Sequence, residues 1–247
     1  MGKACIAVAF ARRAWPVLAG FLLVVLAGCR CPRAVHTYEY LSDYSEMVAE
    51  YEPLVSLVRV PEQTDLSAYR GVVIGPIEVG EEWVESRPEA ISYATFMRVV
   101  LRNELAKLER FQFVEFDSLS DDADETLAGA LRIDGKITKF DMGSGFMRYM
   151  SYFLWFLQSG ATDLQIEGRI TEADTGDVLV EFADRRRHLG NTPYGPNPAN
   201  FRHGFAMHVT AKQAATCLAR FIDAACEGLP ATSAPEPTRL AADTSEP

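Results

Sequence analysis

An eight-residue pattern that occurs twice constrains the fold of this chain more than any other feature. Leu131-Arg-Ile-Asp-Gly-Lys-Ile-Thr138 returns as Leu164-Gln-Ile-Glu-Gly-Arg-Ile-Thr171. Apolar and polar residues alternate in both copies, which is typical of a β-strand with one face in the core. Two copies are too few for a solenoid. The pattern therefore predicts two strands of one antiparallel sheet, with one face buried and the other in water. A glycine at the same place in each copy indicates a close crossing by a helix or side chain.

Runs rich in apolar and β-branched residues predict further strands over residues 54–60, 71–79, 111–116 and 178–182. Pro76 predicts a bulge or an edge position in its strand. One helix is predicted to start at Ser86, which has capping-box spacing to Glu89, and a second to run from Asn197 to Gly228. The expected fold class is α/β in a two-layer, α+β form. It is a mixed or mainly antiparallel sheet of about five strands with two helices packed on one face.

The first 29 residues have the layout of a bacterial lipoprotein signal. Lys3, Arg12 and Arg13 precede an apolar stretch, residues 17–26, which ends in Leu26-Ala-Gly-Cys29. The stretch is shorter than the roughly 20 apolar residues of a transmembrane helix. Cleavage before Cys29 and lipid attachment to its thiol are expected, and an ordinary signal peptide with an incidental cysteine is the alternative.

The expected organisation has four parts. Residues 1–28 are the signal peptide, and residues 29–52 form a lipidated, tyrosine-rich leader that spaces the domain from the membrane. Residues 53–228 form a periplasmic α/β domain. Residues 229–247 are low in hydrophobicity and are predicted to be a disordered tail.

The charge of the chain argues against nucleic acid as a partner. The net charge is −10, and removal of residues 1–28, which carry three cations and no acid, leaves −13. Such a surface repels phosphates and adheres poorly to anionic lipid. Membrane attachment is therefore expected from acyl chains, for which each buried methylene contributes about 0.8 kcal/mol and stable anchoring takes more than one chain.

The cysteines do not suggest a disulfide framework. Cys5 leaves with the signal and Cys29 carries the lipid, so Cys31, Cys217 and Cys226 remain. On one helix the last two lie about 13 Å apart along the axis. A disulfide needs Cα atoms within about 7 Å, so buried free thiols are expected.

Several short elements resemble uncharacterised bacterial lipoproteins. Tyr40-Leu-Ser-Asp-Tyr-Ser45 and Leu66-Ser-Ala-Tyr-Arg-Gly-Val-Val73 are similar to elements of one such family. The region 135–179 is similar to a related family. The residues that carry this second likeness are Ile137-Thr-Lys-Phe140, Gly143-Ser144, Arg148-Tyr149, Gly160 and Thr175-Gly-Asp-Val-Leu179. The resemblance implies a periplasmic α/β domain on a lipid anchor, like the sandwich domains of envelope secretion and Tol-type proteins. It implies no catalytic residue.

No motif for catalysis or metal binding is found. His36, His188, His203 and His208 lack zincin spacing, and the acidic stretch 117–125 lacks the EF-hand pattern. Gly143-Ser144-Gly145 lacks the flanks of a nucleophile elbow and predicts a turn. We therefore expect no enzyme, metal or cofactor. Arg185-Arg-Arg187 is interpreted as charged protection of a sheet edge, with an anionic partner as the alternative.

The connection between the two repeated strands is unusually apolar. Residues 146–157 read Phe-Met-Arg-Tyr-Met-Ser-Tyr-Phe-Leu-Trp-Phe-Leu, whereas loops are normally polar. A buried helix or hairpin over the sheet is the preferred interpretation. The alternative is a contact surface for a partner protein or for the membrane. Its candidate residues are Phe146, Tyr149, Phe153, Trp155 and Phe156.

Three functions are compatible with these features. The preferred one is a lipid-anchored protein that faces the periplasm from the outer membrane, since Arg30 rather than aspartate follows Cys29. It would act as a non-catalytic binding or assembly module for an envelope protein. The second is a carrier of an apolar, lipid-like ligand between sheet and helices. The third, a hydrolase, is disfavoured because no nucleophile and base can be paired.

Overall fold

The computed structural model describes residues 40–41, 43–49, 51, 53–61, 64–81, 84, 86–117, 129–144, 147, 161–188 and 204–228. The chain divides into two units, Met1–Arg33 and Ala34–Pro247, and every described residue belongs to the second. Cys29, the tail and all five residues of the predicted aromatic contact surface lie outside the described residues. The sequence interpretation of these parts stays a prediction.

Six strands form one mixed sheet, and two long helices pack on one side of it. The strands are β1 (Leu57–Arg59), β2 (Gly71–Val79), β3 (Phe113–Phe116), β4 (Ala130–Asp141), β5 (Thr162–Glu172) and β6 (Val178–His188). The helices are α1 (Arg87–Ala106) and α2 (Phe205–Cys226), and a short 3₁₀ helix covers Leu66–Ala68. The strand order is β1-β6-β5-β4-β2-β3. The predicted α+β fold is confirmed, with one strand more than the expected five.

The two repeated sequences are antiparallel strands of one sheet, as predicted, and the structure shows that they are direct neighbours. Gly135 of β4 lies directly opposite Gly168 of β5. A Cβ atom at Gly168 would lie 2.3 Å from the ring of Phe182 in β6. The glycine therefore permits an aromatic ring to cross the strand closely, which confirms the prediction for this copy.

The parallel part of the sheet consists of β4, β2 and β3, and α1 connects β2 to β3 so that these two strands run in the same direction. β2 pairs in parallel with both β3 and β4. The register between β2 and β4 shifts between Ile74 and Ile77, so a bulge surrounds Pro76 as predicted. A proline has no N–H for the ladder, and the bulge accommodates this loss inside the sheet.

The predicted capping box at the start of α1 does not form. Ser86 is the N-cap residue, but its side chain makes no capping hydrogen bond. An N-cap side chain normally accepts from the second or third helical N–H. Pro88 occupies the second position and has no N–H, so one of the two usual donors is missing.

The core lies between the sheet and the two helices. Phe140, Phe182 and Phe221 are fully buried there, together with Met97 and Leu101 of α1. Side chains that alternate along β4, β5 and β6 supply the sheet side of this core. These side chains and those of the two helices form one continuous apolar cluster.

Helix α2 is buried along most of its length. Tyr51 places its ring edge-on to Phe221, with centroids 4.9 Å apart, so the chain before β1 covers part of the helix. Cys217 and Cys226 are buried free thiols, as predicted, and burial raises the pKa of Cys226 to about 11. Within the described ranges, neither helix has the length and apolar character that crossing a bilayer requires.

Candidate functional surface: the strapped face of the sheet

The side of the sheet that faces away from the helices differs from its prediction. Asp163, Gln165, Glu167, Arg169 and Thr171 alternate with the core residues of β5 and therefore point to this second face. The sequence pattern predicts a face in water, but Gln165 and Glu167 are 0% exposed. The prediction is wrong here, and the chain before β1 covers the part of the face around Glu167, Arg169 and Ala183. We call this covering segment, residues 40–41 and 43–48, the strap.

Glu167 is the centre of the covered face. Its Oε1 accepts hydrogen bonds from Thr138 Oγ1 at 3.0 Å and from Gln165 Nε2 at 2.7 Å. Its Oε2 accepts from the hydroxyl of Tyr44 in the strap at 2.5 Å. A buried carboxylate is costly unless donors satisfy it, and here three donors converge on one group. The strap supplies the third donor and so helps to compensate the burial that it causes.

The strap begins over the two central strands. Arg169 of β5 donates to the backbone oxygen of Tyr40 at 2.8 Å, and its guanidinium lies 5.3 Å from the centroid of the Tyr40 ring. The ammonium of Lys136 in β4 lies 5.7 Å from the same centroid. Both distances fit cation–π attraction. Burial, partly opposed by the charge of Arg169, raises the pKa of the Tyr40 hydroxyl.

The strap ends at the edge of the sheet. Val48 exchanges two backbone hydrogen bonds with Val58 of β1, of 2.8 and 2.9 Å. Between its two ends, Leu41 and Met47 are buried against Ala183 of β6. The strap therefore has a small apolar core of its own, and it occupies the outer edge of the short strand β1. An occupied edge is protected from pairing with other chains.

A chain of charges joins the strap to the sheet. Glu181 of β6 is 2% exposed and accepts from Arg59 at 2.5 Å and from Arg169 at 3.2 Å. Arg59 also pairs with Glu46 of the strap at 3.1 Å. Because Arg169 holds Tyr40, the two ends of the strap connect to the same buried carboxylate. Removing one charge from such a network leaves another charge buried without its partner.

The three consecutive arginines of β6 have different environments. Arg185 pairs through two contacts with Asp163, whose carboxylate also lies 3.3 Å from Lys139. Arg187 is exposed. Burial by itself would raise the pKa of Asp163, but the hydrogen bond and charge of Arg185, aided by Lys139, outweigh it and hold the pKa below its ordinary value. Edge protection does not describe Arg185, because its side chain is bound within the sheet.

Arg186 points to the opposite side, into the protein interior. It is 5% exposed and pairs with Asp184 at 2.6 Å, and it donates to the backbone oxygens of Pro53 and Leu54. Asp184 also accepts from Ser56 at 3.0 Å. This buried pair fixes the chain that enters β1, so it positions the strap from the other side of the sheet.

A groove lies between the two helices on the side away from the sheet. It has a volume of about 570 Å³, and its lining includes Phe96, Val100, Lys212 and the ion pair of Lys107 with Glu104, which are 2.7 Å apart. The ring of His208 lies 4.4 Å from that of Phe96. Burial, together with the charge of Lys212, lowers the pKa of His208.

Among the described residues, no group of three or more His, Cys, Asp or Glu side chains is arranged to hold a metal ion. His36 and His203 lie outside the described part, and His188 ends β6. The sequence interpretation missed Glu167 as the centre of a network. One signal could have revealed it, because pairing the glycines of the two repeats places Lys136 opposite Glu167.

Comparison with known proteins identifies no family for this chain. No family model and no curated protein matches it. The PelC dodecamer from Paraburkholderia phytofirmans is 12% identical with a TM-score of 0.40, and the match covers 65% of this chain and 96% of PelC. A Xanthomonas campestris protein of the DUF330 family model is 8% identical with a TM-score of 0.44, over 69% and 93% of the two chains. Lipoprotein GNA1162 from Neisseria meningitidis is 8% identical with a TM-score of 0.29, over 52% and 85%. At these values the similarities carry no conclusion about function.

Proposed function

We propose that this protein is a lipid-anchored envelope protein whose α+β domain faces the periplasm from the outer membrane. The observation that carries the proposal is Leu26-Ala-Gly-Cys29, which closes an apolar stretch behind a basic start. Acyl chains on Cys29 would bind the membrane without help from the acidic surface. Arg30 after the lipidated cysteine supports the outer rather than the inner membrane.

The strap supports the same proposal from the structural side. It starts at Tyr40, eleven residues after Cys29, and binds the sheet through Arg169, Glu167 and Val58. A lipid anchor would therefore connect to a fixed point on the domain. We propose that the domain serves as a non-catalytic module that holds an envelope protein at a set distance from the membrane.

Fractionation of the host cells tests the anchor. The native protein should sediment with the outer membrane and partition into detergent, and the Cys29→Ser variant should lose both properties. A variant that stays in the membrane fraction would contradict the proposal. Crosslinking in intact cells then tests the module, and the same specific envelope protein should be crosslinked in repeated experiments. An enzymatic turnover in a broad activity screen would contradict a non-catalytic role.

A carrier of an apolar ligand is the second candidate. The observation that favours it is the groove between α1 and α2, which is lined by Phe96 and Val100, by the cation of Lys212 and by the Lys107–Glu104 pair. Such a lining suits a ligand with an apolar body and an acidic group. The ligand would lie outside the helices rather than between sheet and helices. Organic extraction of the purified domain, freed of its own lipid anchor, should then yield a bound lipid, and an empty extract would count against this candidate.

A further inference from the structure

The position of the strap has a consequence for how the domain meets the membrane. Tyr40 is bound by Lys136 of β4 and Arg169 of β5. These strands are the two central strands of the six-stranded sheet. Tyr40 therefore lies near the middle of the second face, as far as possible from both sheet edges.

The chain between Cys29 and Tyr40 has a limited reach. Eleven residues can span at most about 36–40 Å, whatever their conformation, because an extended chain covers about 3.3–3.6 Å per residue. To reach a membrane on the helix side, this chain would first run from the middle of the sheet to an edge. With strands about 4.8 Å apart, that distance is roughly 12 Å.

The chain would then have to pass the side of the molecule. A sheet layer and a helix layer together are about 20 Å thick, since a helix with its side chains measures about 10–12 Å across. Most of the available length would be used before the membrane is reached. If the second face is turned to the membrane, none of this route is needed, so far more conformations of the chain are compatible with attachment.

We propose that the second face of the sheet, with the strap on it, is turned toward the lipid headgroups of the membrane that holds Cys29. This inference rests on the proposed lipid anchor. The face suits a headgroup layer because it carries both signs of charge around Tyr40. Lys136 and Arg169 are partly exposed and Glu78 is exposed. Helices α1 and α2, with the groove between them, then face away from the membrane.

Fluorescence quenching in proteoliposomes tests the orientation. The lipidated full chain, with Cys31 changed to serine, is placed in vesicles of phosphatidylethanolamine and phosphatidylglycerol that contain nitroxide-labelled headgroups. One fluorophore is attached at a Glu78→Cys variant on the second face, and a matched one at Gln213→Cys on α2. Both positions are exposed, and the buried thiols of Cys217 and Cys226 are controlled by labelling the parent protein.

The expected result is quenching several-fold stronger at position 78 than at position 213. Equal quenching, or stronger quenching at position 213, would overturn the inference. A Gly/Ser insertion of about 20 residues between Arg33 and Ala34 lengthens the reach by up to about 70 Å. It should reduce the difference, and a difference that persists unchanged would overturn the limited reach as its cause.

The anchor and the orientation can fail separately. Vesicle flotation before any label is read shows whether the protein is membrane-bound. Protein that does not float contradicts the lipid anchor. It also contradicts the proposed orientation, which depends on that anchor. Protein that floats but shows equal quenching at both positions contradicts the orientation alone.

Discussion

The hydroxyl of Tyr44 lies 2.5 Å from Oε2 of Glu167, although 123 residues separate the two in the chain. This contact joins the segment nearest to the predicted lipid anchor to the most deeply buried carboxylate of the second face. It makes the strap part of the folded domain rather than a spacer in front of it.

The hydrogen bond between Tyr44 of the strap and Glu167 should be measurable as a coupling free energy between these two residues. Tyr44→Phe leaves Glu167 with one donor fewer, and the expected loss is about 1–3 kcal/mol of unfolding free energy. Glu167→Ala should cost more, because three donors lose their acceptor. In a double-mutant cycle by urea unfolding, the coupling should be about 0.5–3 kcal/mol.

Ser45 provides the control for this cycle. It lies next to Tyr44 in the strap but is exposed and bonds only locally to Asp43 among its described contacts. Ser45→Ala should change the stability by less than about 0.5 kcal/mol. A coupling near zero between Tyr44 and Glu167 would contradict the strap as part of the fold.

The two repeated glycines should differ in their tolerance of a methyl group. At Gly168 a Cβ would lie 2.3 Å from the ring of Phe182 and 2.7 Å from the backbone oxygen of Asp134. At Gly135 the nearest atom would be 3.3 Å away. Gly168→Ala should therefore destabilise the protein by about 1–3 kcal/mol, and Gly135→Ala by clearly less. Thermal unfolding of both variants decides this, and equal losses would contradict the close crossing by Phe182.

The buried pair of Asp184 and Arg186 should be sensitive to the removal of one member. Asp184→Ala leaves Arg186 charged and 5% exposed, and the expected cost is about 3–5 kcal/mol. The double variant Asp184→Leu/Arg186→Met removes both charges and should recover much of that loss. The exposed pair of Arg87 and Glu81 is the control, and Glu81→Ala should cost less than about 1 kcal/mol. A double variant less stable than Asp184→Ala would contradict this explanation.

Acid should weaken the protein partly through Asp163. Its pKa in the folded state lies below the ordinary 3.8, because Arg185 and Lys139 outweigh the effect of burial. A carboxyl group with a depressed folded pKa contributes stability above its unfolded pKa, and that contribution is lost as the pH falls through the folded value. The native protein should therefore lose stability below about pH 4.

Comparison with Asp163→Asn isolates this contribution. The variant should be less stable than the native protein at neutral pH, and its stability should depend less on pH in the acidic range. Urea unfolding at a series of pH values measures both effects. Parallel curves for the two proteins would show that Asp163 is not the group responsible.

Much of the fold could be predicted from the sequence because the relevant signals are local. The period of two in the repeats, Pro76 in β2 and the spacing of Ser86 and Glu89 each act within a few residues. These signals sufficed for the two repeated strands, the bulge and the start of α1. The capping box failed for an equally local reason, because Pro88 cannot donate a hydrogen bond.

The covered face could not be predicted in the same way. An alternation of apolar and charged residues looks the same whether the charged side meets water or a polar strap. The partners of the strap lie more than a hundred positions away, as Tyr44 and Glu167 show. The opposite charges of Lys136 and Glu167, once the glycines are paired, were the available signal for a network on this face.

The lipid anchor is the claim on which the proposed function depends, and mass spectrometry of the protein from its own membranes tests it most directly. We expect a mature chain that begins at Cys29 and carries fatty acyl groups on that residue. A chain that begins at Met1, or a Cys29 without any fatty acid, would contradict the lipid anchor.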